Sequence, residues 1–246
     1  MRINFHDPAL RNFYEKQLTS WLKNYATKNK QNGFALGMSG GANSSLAAYL
    51  CKKSGLNVEG IHILTEDQKL DSFSHIKIHV LPSKQNKEKN IYFLNSELFY
   101  LAEKKKLIVV GSIDGTKGGL GRFYHKWGEG AADIFPLLSI FKTDLATWVS
   151  YLQLPHPEKP FLELDPKKIL HEEVWGFTIE ELEWAQEENT RNGIVSNPTP
   201  PTESPDWFKY FNPRKQVISK LRARYRKTKH KIIPNLRFPT QDQLHG

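Results

Sequence analysis

The sequence predicts an α/β protein whose parallel sheet is flanked by helices. Two observations carry that prediction. Short apolar runs of strand length alternate with segments of helical period along roughly the first half of the chain. The first such run, Phe34-Ala35-Leu36-Gly37-Met38, ends in Ser39-Gly40-Gly41 directly before a helical segment, so strand, tight turn and helix follow one another without a linker. At 246 residues and 39% hydrophobic content, the chain is long enough to bury a substantial core, and it reads as one domain, 1–246, with embellishments.

Asp7-Pro8 supplies an N-cap and a first-turn proline, after which Leu10, Phe13, Tyr14, Leu18, Trp21, Leu22 and Tyr25 recur at helical spacing. This is an amphipathic opening helix. The strand at Phe34–Met38 leads through the serine-glycine turn into a helix over Ser44–Lys53. Val58–Leu64, Ile76–Leu81 and Leu107–Gly111 are further buried-strand candidates, with a helix from about Ile91 to Lys105 before the last of them. A glycine-rich loop then runs to Gly130, and Leu145, Trp148, Val149 and Leu152 mark one face of a later helix. Residues 156–188 are acid-rich, a proline-rich loop spans about 192–213, and a basic helix over about 214–231 closes the pattern.

The 35 Lys and Arg against 26 Asp and Glu give a formal charge of +9, and the excess is local: nine basic residues and no acid lie between Arg214 and Lys231. A solvated basic face explains most of them, so nucleic acid is not the expected partner. The single cysteine, Cys51, can form no internal disulfide and reads as a buried helix residue. With no signal-peptide pattern and no stretch of the roughly 20 apolar residues that a membrane span needs, a soluble, cytoplasmic protein is expected.

A strand that delivers its chain into Ser39-Gly40-Gly41 at the start of a helix sets consecutive backbone N–H groups in a concave nest at a helix N-terminus, which suits an anion such as pyrophosphate. Glycine lets the backbone approach phosphate closely, and the hydroxyls of Ser39 and Ser44 can add donors. An ordinary glycine turn would explain Gly-Gly alone; serines on both sides and Gly37 just before favour the phosphate site. No lysine follows the glycines as in a Walker-type loop, and the dinucleotide fingerprint is absent.

Gly37-Met38-Ser39-Gly40-Gly41-Ala42-Asn43-Ser44 resembles the Ser-Gly-Gly-x-Asp-Ser loop of the ATP pyrophosphatases, which split ATP between the α and β phosphates. A second block is more specific. His125-Lys126-Trp127-Gly128-Glu129-Gly130-Ala131-Ala132-Asp133-Ile134-Phe135-Pro136-Leu137 is similar to the signature of the ammonia-dependent NAD synthetases. Lys142 lies where that family places an ATP-binding lysine, and His230-Lys231 resembles its C-terminal pair. The resemblance implies an adenine nucleotide α-hydrolase-like, Rossmann-like sheet with helices on both faces and a homodimer. It also implies ATP-dependent amidation of deamido-NAD by ammonia. Ser39, Gly40, Gly41 and Ser44 would hold the ATP phosphates, with Gly37, Asn43 and Ser112 completing the ATP side and Lys142 offsetting charge. Ser39 and Lys142 would serve the chemistry, and Lys126, Asp133, His230 and Lys231 would contact deamido-NAD.

The chain departs from the family pattern mainly at the expected metal and ATP contacts. Asn43 stands where the family has a magnesium-binding aspartate, so Mg²⁺ is expected at an altered site in which a neutral amide is a weak ligand. Where the loop after Gly111 should carry a metal-binding glutamate, it has Lys117, Gly118 and Gly119. No arginine lies between Arg11 and Arg122, and no Gln-Thr pair lies between Pro155 and Thr178; the family has both. Two alternatives follow: a nucleotide-binding paralogue without turnover, or a related enzyme that adenylates another substrate such as tRNA.

Overall fold

The computed structural model describes residues 3–64, 76–83, 87–116 and 130–154, together with Ile179, Glu183, Trp184, Gln186 and Glu187. The proline-rich segment, the basic segment, Lys117, Lys126, His230 and Lys231 lie outside the described residues. Helix α1 (Pro8–Lys28) precedes strand β1 (Gly33–Gly37), helix α2 (Ala42–Lys53), strand β2 (Asn57–Leu64), strand β3 (Lys77–Pro82), helix α3 (Lys87–Lys105), strand β4 (Leu107–Val110) and helix α4 (Lys142–Leu152). Helix α1 starts as expected: Asp7 is its N-cap, and its carboxylate accepts from the N–H of Ala9 at 2.8 Å. Helix α3 begins at Lys87, earlier than the apolar periodicity indicates, because its first turn is polar.

Among the described residues all strand pairs are parallel, and the sheet order is β3-β2-β1-β4. The alternation of side chains along each strand sorts the interior into two cores. Phe34 and Leu36 of β1, Val58 of β2, and Ile108 and Val110 of β4 face Leu18 and Leu22 of α1, Leu46 and Leu50 of α2, and Leu145 and Trp148 of α4. The intervening residues Ala35, Ile61, Leu107 and Val109 face Leu98, Leu101 and Ala102 of α3. Both faces of the sheet are therefore covered around β1 and β4, which is why those two strands read as continuous apolar runs. Cys51 is buried on α2, and burial pushes its thiol pKa far up, so the residue is inert packing. No helix among the described residues is long and apolar enough to cross a membrane.

Strand order places β1 at the topological switch point. From β1 the chain moves to β2 on one side, and β4 later returns on the other, the arrangement in which a ligand crevice is expected beyond the carboxyl ends of β1 and β4. Past β4 the segment around Ile134 runs beside that strand: Val110 bridges Ile134 in parallel, and Gly111 N–H donates to the Ile134 carbonyl at 2.9 Å. A Cβ at Gly111 would sit 2.3 Å from the Phe135 ring, so glycine is what allows this close approach.

One charged cluster lies at the opposite, amino end of the sheet. Glu59 of β2 is buried and accepts from Lys105 Nζ at 2.6 Å, and it pairs with His79 Nε2 at 2.7 Å. Burial alone would raise the Glu59 pKa, but the hydrogen bonds from Lys105, His79 and Asn57 override it and hold it at about 2. A depressed folded-state value means that the unfolded chain binds the proton more tightly. The stabilisation is thus fully present above the ordinary carboxylate value and is lost as pH falls from about 4.5 towards 2. Urea denaturation across that window is expected to show about 2 kcal/mol less stability at its acid end, the partly exposed partners screening the remainder. In Glu59→Gln the pH dependence should flatten.

Candidate functional site

The Ser39–Ser44 loop lies at the carboxyl end of β1, where the strand order predicts a ligand crevice. Backbone contacts to β2 fix its entrance: Met38 N–H donates to the Ile61 carbonyl at 2.8 Å, and the Met38 carbonyl accepts from His62 Nδ1 at 2.6 Å. Since a carbonyl can only accept, Nδ1 carries the hydrogen. The other ring nitrogen of this buried histidine has no partner among the described residues. Gly40 adopts φ +80°, a left-handed conformation that costs a residue with a Cβ roughly 1–2 kcal/mol.

Gly41 is the N-cap of α2 and brings no side chain to it. The cap is built instead from serines that close on its carbonyl: Ser44 Oγ and Ser45 Oγ donate to Gly41 O at 2.9 and 3.0 Å, and Ser45 N–H donates at 3.0 Å. Ser39 Oγ lies 3.0 Å from Ser44 Oγ and accepts from Gly41 N–H at 3.3 Å. The carbonyl is therefore turned into the helix, and the first N–H groups of α2 lie at the crevice with the positive end of the helix dipole. Ser44 is buried, whereas Ser39 is exposed and is the hydroxyl more open to a ligand.

The loop after β4 spans from this nest to the start of α4. Asn43, on the first turn of α2, donates from Nδ2 to the Ser112 carbonyl at 2.9 Å and to Asp114 Oδ2 at 2.7 Å. Further along, Gly115 N–H donates to the Ile140 carbonyl at 2.7 Å, and Thr116 Oγ1 accepts from Lys142 N–H at 2.9 Å. Lys142 is thus the first residue of α4 and is tied through Thr116 to the loop that Asn43 also holds. Two helix N-termini, those of α2 and α4, are linked by six residues, 111–116.

Three residues absent from the sequence reading complete this frame. Asp114 is fully buried against Asn43. Glu183 is also fully buried and accepts from Thr116 Oγ1 at 2.6 Å, Thr143 N–H at 3.2 Å and Thr143 Oγ1 at 2.6 Å. Gln186 Nε2 donates to the Thr116 carbonyl at 2.9 Å. Asp114 was visible as the acid nearest the strand end, in Ser112-Ile113-Asp114-Gly115. Glu183 is one of many acids in its segment, and nothing local distinguishes it.

Asp133 occupies a structural position. Its Oδ2 accepts from Val109 N–H at 2.8 Å, and its own N–H donates to the Val109 carbonyl at 2.9 Å, so it extends hydrogen bonding along the outer edge of β4. That leaves Oδ1 as its route to a ligand. Gly37, Ser39, Gly40, Gly41, Asn43 and Ser44 thus lie together at the β1–α2 turn, Asn43 meets Ser112, the backbone of Lys142 is tied to the same loop through Thr116, and Asp133 lies beside β4.

Magnesium does not fit the residues described at Asn43. The flanking Ser112 carbonyl and Asp114 carboxylate are acceptors, which assigns the amide nitrogen, a donor, to the position between them. Among the described residues no group of three or more His, Cys, Asp or Glu is placed to hold a metal ion.

Known proteins resemble this chain in sequence and in fold. The sequence pattern of the family described as NAD synthase matches residues 14–93, which include the whole serine-glycine nest. The chain is 26% identical over 197 residues to an NH3-dependent NAD synthetase of Finegoldia magna, covering 68% of this chain and 81% of that protein. It is 25% identical over 260 residues to the Staphylothermus marinus protein of the same description, covering 89% and 88%. Among solved structures, the NMN synthetase of Francisella tularensis superposes with a TM-score of 0.66 at 20% identity, covering 93% of this chain and 98% of that one. The NH3-dependent NAD synthetase of Campylobacter jejuni gives 0.63 at 17% identity, covering 90% and 95%. At these identities the structural likeness establishes the shared fold.

Proposed function

We propose that this chain, a divergent relative of the NAD synthetases, uses ATP and ammonia to amidate the nicotinate carboxyl of deamido-NAD. The observation that carries the reading is the serine-glycine nest at the sheet's switch point, joined by residues 111–116 to the N-terminus of α4. A nucleotide triphosphate lying across that crevice meets the N–H groups of α2 at one end and Lys142 at the other. The carboxylate oxygen attacks the α-phosphorus, the bond to the bridging oxygen breaks, and pyrophosphate departs into the nest. Ammonia then adds to the acyl carbon of the adenylate, loses a proton and expels AMP. Fixed N–H donors and a cation stabilise the charge that develops on the phosphates, so no nucleophilic side chain is required. On the substrate side, Lys126, His230, Lys231 and Oδ1 of Asp133 are the proposed contacts.

Purified protein supplied with ATP, ammonium and deamido-NAD should form NAD and AMP in equal amounts. Parallel reactions with nicotinate mononucleotide test the smaller substrate that the description of the Francisella neighbour suggests. Lys142→Ala is expected to weaken ATP binding about tenfold or more, through loss of one charge-assisted phosphate contact. Unchanged affinity would remove Lys142 from the site. A second reading, nucleotide binding without turnover, is favoured by one observation: the amide of Asn43 in the position expected of a metal-binding carboxylate. ATP binding with neither product formed would select it.

A further inference from the structure

The side-chain amide of Asn43 has an environment that oxygen ligands ordinarily make for a small cation. Its Nδ2 sits 2.7 Å from Asp114 Oδ2 and 2.9 Å from the Ser112 carbonyl oxygen. Neighbouring ligands of an octahedral magnesium ion, each at 2.0–2.1 Å from the metal, lie about 2.9 Å apart. Each of the two nitrogen–oxygen separations is thus close to that edge length, but the atom they share is a donor. The amide nitrogen donates to both the carboxylate and the carbonyl. Asp114 is fully buried, and a buried carboxylate needs a donor or a cation beside it.

We propose that Asn43 replaces a divalent cation here, its two N–H groups satisfying Asp114 and Ser112 so that the nest holds phosphate without a metal at this point. The chain then carries a latent cation site, one atom from completion. Exchanging the amide nitrogen for oxygen would leave three oxygens at this junction, two of them on carboxylates. The inference does not depend on which substrate is adenylated, since it concerns the α2–loop junction alone.

Mn²⁺, a paramagnetic stand-in for Mg²⁺, provides the test through water-proton relaxation on the full chain without nucleotide. The wild-type protein is expected to show no stoichiometric site, and Asp114→Asn should leave that unchanged. Asn43→Asp should acquire one site at least tenfold tighter than the background, and Asn43→Asp combined with Asp114→Asn should lose it. Without metal, Asn43→Asp should melt lower than wild type, because two carboxylates face each other, and Mn²⁺ should restore its melting temperature. Stoichiometric Mn²⁺ binding by wild type that Asp114→Asn abolishes would overturn the proposal, as would an Asn43→Asp protein with no gain. Failure of the synthetase reading would appear separately, as absence of NAD and AMP in the assay above.

Discussion

Glu183→Ala is expected to destabilise the protein by about 3–5 kcal/mol and to weaken ATP binding through Lys142. The carboxylate is fully buried and receives the Thr116 hydroxyl, the Thr143 N–H and the Thr143 hydroxyl. Truncation to alanine strands these donors in the interior, and each unsatisfied group costs about 1–3 kcal/mol, less whatever water or rotation of the hydroxyls recovers. It also removes a negative charge from the N-terminus of α4, whose own N-cap, Phe141, has no side chain able to accept. Glu183→Gln keeps one oxygen in place and should lose far less stability, about 1 kcal/mol. Chemical denaturation ranks the three proteins, and ATP titration of the folded variants reads the position of Lys142. Equal stability of the alanine variant and wild type would show that this contact does not hold the site together.

The same residue marks where sequence reading stops. The nest was legible because its chemistry is local: strand, glycine turn and helix are consecutive, and the serines that fold onto Gly41 lie within four residues of it. The sheet was legible because strands covered on both faces are apolar runs bounded by turns, and each proposed strand appears within a residue or two of its expected bounds. The roles of Asp114 and Glu183 were not legible, although Asp114 stands out as the acid nearest the strand end. Their significance comes from partners far along the chain, Asn43 across 71 residues and Thr116 across 67, and no periodicity links such positions. Asp133 shows the complementary limit. Its place in the signature block suggests a ligand contact, and the structure adds a backbone N–H of β4 as a partner of Oδ2 that sequence does not advertise. Asn43 combines both cases: its departure from the family pattern was visible, but the direction of its N–H groups depended on what the loop after β4 brings opposite it.

Helix α4 is anchored at its start by Glu183 and along its body by Trp148, so Trp148→Ala should be the other severe change, at about 3–5 kcal/mol. Trp148 is fully buried and stacks on Phe5, with ring centroids 4.6 Å apart and planes 16° from parallel; Phe5 in turn meets Tyr14 of α1 edge-on at 5.5 Å. One side chain thereby fastens α4 to the segment before α1 and to α1 itself. The indole N–H, however, has no acceptor among the described residues, and burying an unpaired donor costs about 1–3 kcal/mol. Trp148→Phe loses packing volume but also discards that donor, so the two effects oppose each other. The phenylalanine variant should retain most of the stability that alanine loses, and thermal melts of the two variants would measure the difference. If phenylalanine proved as damaging as alanine, the indole N–H would be making a contact that matters. If both were mild, the Trp148–Phe5–Tyr14 stack would not be what keeps α4, and Lys142 with it, against the sheet.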